Sequence, residues 1–87
     1  MFPVFIDPSG SHHTCIAWAC GIPKLNWEWY GFEKNGDDIY YGYVMGFENE
    51  WGSFSATELA DNEIQLVTDE KSLNEIEPPL GWTKENK

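Results

Sequence analysis

Apolar and polar residues alternate most clearly through the middle of the chain. Residues 26–34 (NWEWYGFEK) and 37–45 (DDIYYGYVM) are aromatic-rich runs joined by Asn35-Gly36. Asn-Gly favours a type I′ turn, whose twist matches that of paired strands. A two-residue loop predicts Lys34 opposite Asp37, Phe32 opposite Ile39, Tyr30 opposite Tyr41 and Glu28 opposite Tyr43. On the other face it predicts Trp29 opposite Gly42 and Tyr40 opposite Gly31, so that each ring covers bare backbone. Aromatics on both faces predict a central hairpin, covered on one side and partly open on the other.

The pattern then changes. Ser55-Ala-Thr-Glu58 fits a capping box, with Ser55 as N-cap and Glu58 three residues on. Phe54 and Leu59 are placed to form the hydrophobic staple across it. Residues 51–54 therefore read as a short strand leading into a short helix over 56–61. A second short helix is predicted over 69–76, capped by Thr68 or Asp69, with Leu73 and Ile76 on one face. Residues 64–67 read as an edge strand. Residues 4–6 and 14–19 read as strands around a loop over 8–13. Pro78-Pro79 separates the core from a short C-terminal arm. The fold class predicted is α+β: a small antiparallel sheet of four or five strands with one or two short helices.

Composition sets the scale and limits the partners. The chain has 87 residues, 41% of them hydrophobic and 16% aromatic, which predicts one folded domain. Fifteen acids oppose five lysines, with no arginine, for a net charge of −10. Nucleic-acid binders need cations for phosphates, so direct nucleic-acid binding is excluded, and an anionic membrane is a poor partner. Residues 1–27 are neutral, with Asp7 against Lys24. Residues 48–77 hold nine acids against Lys71 alone. These acids are interleaved with apolar residues, which predicts a folded acidic surface rather than a tail. The start of the chain has no basic segment before its apolar residues, unlike a signal peptide. No apolar run approaches the roughly 20 residues of a membrane span. Two cysteines are too few for a disulfide scaffold, so a reducing cytoplasm is the expected location.

Candidate chemistry is sparse. His12, His13, Cys15 and Cys20 are the only soft metal ligands. Zinc takes ligands converging as a tetrahedron, usually from two separated pairs. Here all four crowd together, and neighbours in an extended chain face opposite ways. They remain an alternative metal or thiol site, and no metal or cofactor is expected. Asp37/Asp38 and Glu48/Glu50 are paired acids, but Asp is favoured at turns for local reasons. A chain this small has little room for a glycosidase cleft. Exposed rings among Trp18, Trp27, Trp29, Tyr40 and Trp82 lack the positive groove of a single-strand binder. They suit the core or contact with a protein partner.

One stretch carries a family resemblance. The segments Trp27-Glu-Trp-Tyr30, Asp38-Ile-Tyr-Tyr-Gly42-Tyr-Val and Gly46-Phe-Glu-Asn-Glu50-Trp-Gly52-Ser-Phe-Ser55 lead into Glu58-Leu59. Residues 27–59 resemble a family of small bacterial proteins carried by plasmids and phages, a domain of unknown function. Trp82-Thr83 echoes that family's closing aromatic-Thr-Pro, with Lys84 in place of the proline. The resemblance implies an origin in a mobile element and carries no chemistry. With the acidic surface, it leads to the expectation of a non-enzymatic protein that binds and inhibits a host nucleic-acid-handling defence protein, of the CRISPR-effector or restriction type. Glu48, Glu50, Glu58, Asp61 and Glu63 would mimic phosphates, with Trp51 as aromatic anchor. The alternative is a plain structural or adaptor module.

Overall fold

In the computed structural model, which describes residues 1–21 and 26–85, the two aromatic runs form the middle of a four-stranded antiparallel sheet. Lys24 and the last two residues of the C-terminal arm lie outside the described residues. The strands are β1 (Val4–Ile6), β2 (His12–Thr14), β3 (Ala17–Cys20), β4 (Glu28–Lys34), β5 (Ile39–Met45), β6 (Asn49–Ser55) and β7 (Thr83–Lys84). The helices are α1 (Ala56–Asp61) and α2 (Glu70–Leu73). The four-stranded sheet has the order β3-β4-β5-β6, and a smaller sheet has the order β2-β1-β7. The fold is α+β.

Side chains alternate across the large sheet and sort the core into two layers. Ala17, Ala19, Tyr40 and Phe54 face α1 and pack with Leu59 and Ile64, flanked by Trp29 and Val44. Tyr30, Phe32, Tyr43 and Met45 face the small sheet and pack with Phe5, Cys15, Leu73 and Trp82. The hairpin thus packs against the core on both faces, with a groove beside α1 on one face and Tyr41 and Trp51 partly exposed on the other. Trp82 anchors the C-terminal arm in the core, and β7 pairs with β1. The arm is therefore part of the fold, not separated from it by Pro78-Pro79.

Five details differ from the sequence pattern. The hairpin turn uses residues 35–38: the Asn35 N–H donates to the Ile39 carbonyl at 2.8 Å, and Gly36 takes φ 97°. Phe32 is bulged out of the ladder between Gly31 and Glu33. Together these shift the register, so Tyr30 faces Tyr43 and Gly31 faces Gly42. The predicted strand over 14–19 breaks at Cys15-Ile16, because β2 and β3 belong to different sheets. Only Val67 of residues 64–67 pairs, through an isolated bridge to Trp18. The second helix is confined to α2, whose cap is Asp69 accepting from the Ser72 N–H at 2.9 Å.

The first helix starts as its sequence predicts. The Ser55 hydroxyl accepts from the Glu58 N–H at 3.2 Å, and Phe54 and Leu59 share one core. The hydroxyl also donates to Asp38 Oδ2 at 3.0 Å, tying the helix start to the hairpin turn. The Asp38 carbonyl accepts the Ala56 N–H at 2.8 Å. No described hydrogen bond returns from the Glu58 carboxylate, which is left exposed on the groove side of α1. The helix ends in a Schellman motif: Ile64 N–H to Leu59 C=O and Glu63 N–H to Ala60 C=O, both 2.9 Å. Glu63 supplies the left-handed residue at φ 63°.

Candidate functional site

A groove runs across the large sheet beside α1. One stretch, about 670 Å³, is lined by Trp27, Trp29, Val44, Phe54 and residues 50–53 of β6. A second stretch, about 330 Å³, continues past Trp27 and Trp29 to Leu59 and Ile64. Beneath the groove the strand registers set Gly31, Gly42 and Gly52 side by side across β4, β5 and β6, and Gly52 reaches the lining of the first stretch. The Phe54 ring covers Gly31, with its tip 3.3 Å from where a Cβ would sit. A Cβ on Gly42 would strike the Tyr30 carbonyl, so that position admits no side chain. Gly52 meets open space, and its missing side chain leaves the groove deep at that point. Trp27 packs on Trp29 at 5.8 Å and edge-on against Phe47 at 5.4 Å between ring centroids. Phe47 is 84% exposed.

The acids of the groove are Glu48, Glu50 and Glu58, and no lysine stands among its described lining residues. Glu48 and Glu50 come from the β5–β6 turn and β6, and Glu58 from α1. Three residues expected to act together are thus brought to one groove. Asp61 and Glu63 are not: Glu63 lines a separate shallow depression with Ala60 and Gln65 beyond the end of α1. Trp51 also borders the groove and is 42% exposed, but its ring packs on the sheet face opposite Glu50 and Val44. There it meets Tyr43, Phe32, Trp82 and His13 at 5.0–5.9 Å. The aromatic surface beside the acids is Trp27, Trp29 and Phe47. Phe47 and Gly52 escaped the sequence reading because the role of Phe47 depends on the bulge-shifted register of β4 and β5, and that of Gly52 on the pairing of β5 with β6.

The histidine and cysteine cluster is dispersed. His13 Nε2 sits 2.8 Å from Asp7 Oδ2, and its ring is wedged among Phe32, Trp51 and Trp82. His12 projects outward, 3.9 Å from Glu85. Cys15 is buried and Cys20 exposed. Burial pushes the Cys15 thiol up to about 12, so it stays protonated and unreactive at neutral pH. Among the described residues, no three His, Cys, Asp or Glu side chains converge as a metal site. Asp7 is a local hub: it accepts from the Ser9 hydroxyl at 2.6 Å and from the Ser9 and Ser11 N–H groups at 2.8 and 3.0 Å. The Ser9 hydroxyl, with His13, holds its carboxyl well below the usual carboxylate range. Of the turn pair, Asp38 is engaged by the hydroxyls of Thr57 and Ser55, which lower its pKa. Its role is structural.

Among the described residues, no helix is long and apolar enough to cross a membrane. No family model, curated protein or solved structure matches the chain.

Proposed function

We propose that this chain is a non-enzymatic binding protein whose acidic groove docks on the basic, nucleic-acid-binding surface of another protein and competes with nucleic acid there. The observation that carries this reading is the gathering of Glu48, Glu50 and Glu58 on one aromatic groove, with no cation among its described lining residues. Carboxylates on a rigid sheet and helix stand in for phosphates, and Trp27, Trp29 and Phe47 supply apolar contact. Arginine and lysine suit such a surface twice over, since they pair with carboxylates and stack on aromatic faces. The resemblance of residues 27–59 to plasmid- and phage-borne proteins supports a partner in a bacterial host. Its class is a nucleic-acid-handling defence protein, of the CRISPR-effector or restriction type.

The test is co-purification from a bacterial host at low and high salt, followed by competition with labelled DNA or guide RNA on the partner recovered. The proposal expects capture that weakens as salt rises, because exposed charges are screened over about 8 Å at physiological ionic strength. It also expects the nucleic acid to be displaced. A partner that keeps its nucleic acid while bound to this chain would overturn it.

A further inference from the structure

The two ends of the large sheet are finished differently. At the β3 end, Trp18 exchanges backbone hydrogen bonds of 2.9 and 2.7 Å with Val67, which caps that edge. At the other end β6 pairs with β5 along all seven of its residues, and no described backbone bond joins β6 to a further element. Most of β6 is exposed. Natural edge strands are usually short or carry a lysine, a proline or a bulge that blocks further pairing. β6 (NEWGSFS) has no lysine, proline or bulge, and its register against β5 is unbroken; its one charge, Glu50, repels acidic strands and favours a basic one.

We infer that β6 is a docking edge that receives an extended, basic segment of the partner as a fifth strand of the sheet. This deepens the proposed function and rests on it. The occupant follows from the two faces of β6. On the groove face β6 presents Glu50, Gly52 and Phe54, with Glu48 and Glu58 alongside. On the other face it presents Trp51 next to Tyr41 and Tyr43. Side chains of an added strand alternate between these faces. The matching segment has lysine or arginine at every second position, toward the carboxylates, and apolar residues between, toward Trp51. The bare backbone of Gly52 leaves room for a long cationic side chain to lie across the groove floor. Charge argues against a second copy of this chain. Antiparallel self-pairing through β6 would put the Glu48, Glu50 and Glu58 groups of two chains, each of net charge −10, on one face of a continuous sheet.

The test uses a seven-residue peptide of alternating lysine and valine, matched to the length of β6, and the same peptide N-methylated at every backbone amide. Both have the same charge. Binding is measured by calorimetry, and amide hydrogen exchange across residues 49–55 is followed by NMR. Strand addition predicts that the parent peptide binds and slows exchange in β6. The methylated peptide should bind at least ~100-fold more weakly, the loss of several net hydrogen bonds. Equal binding of the two peptides, abolished by Glu48→Lys with Glu50→Lys, would overturn strand addition and leave the acidic groove as the docking site. Binding of neither peptide, or binding that the Lys variant retains, would sink both readings. Protection of β6 amides in the protein alone, with a dimer in sedimentation, would make a second copy the occupant and overturn the inference.

Discussion

Ser55 does more than the sequence suggests. It caps α1 and also donates to Asp38. Ser55→Ala is expected to lower stability by about 1 kcal/mol through the lost cap, read as a shift in the denaturant midpoint. Glu63 is the converse case. It holds the left-handed position at the end of α1 that glycine fills without steric cost. Glu63→Gly should raise stability by about 1 kcal/mol and leave partner binding unchanged, since Glu63 lies outside the groove. Acid sensitivity also belongs at this scale. Local hydrogen bonds depress Asp7, Asp38 and Asp69 from their ordinary value of 3.8. A carboxylate depressed in the folded state favours folding above its unfolded pKa, and that contribution is lost as pH falls through the folded pKa. Thermal melts should therefore be flat near neutrality and fall steadily below about pH 4. Ser55→Ala should lessen that fall, because Asp38 then loses one of its hydroxyl donors.

At the scale of elements, α1 was legible and the hairpin register was not. Caps and staples are local, so residues 54–59 specify the helix start without help from the rest of the chain. Register is set by the turn and by every bulge along the ladder. Nothing local announces that Phe32 leaves the ladder. It does so beside a packed stack of rings, with Trp82 at 5.8 Å and His13 at 5.1 Å. The consequence is the glycine row beneath the groove, which gives an element-level prediction. Gly42→Ala places a methyl group against the Tyr30 carbonyl and should cost about 3 kcal/mol, as overpacking does. Gly52→Ala meets open space and should change stability by less than about 0.5 kcal/mol. Because it narrows the groove floor, the same substitution should weaken partner binding. Denaturation and binding measured on the two variants separate the structural glycine from the functional one.

Over the whole molecule, the acidic character was plain in composition, but its layout was not. The nine acids of residues 48–77 are scattered by the fold. Three reach the groove, Asp69 caps α2, Glu70 pairs with the N-terminal ammonium, and Glu63 strains the end of α1. Asp7 lies in the neutral third of the sequence, yet its bonds to Ser9, Ser11 and His13 make it a structural residue rather than a spare charge. A fair control for the groove is therefore Asp61→Lys with Glu63→Lys, which alters net charge as much as Glu48→Lys with Glu50→Lys. The decisive measurement is the affinity of these two double variants and of wild type for the partner recovered from the host, read as displacement of labelled nucleic acid. The account predicts that the groove variant loses about tenfold or more in affinity, roughly 1.4 kcal/mol, while the control stays close to wild type. Equal losses in both variants would mean that only net charge matters, and would contradict a docking site in the groove.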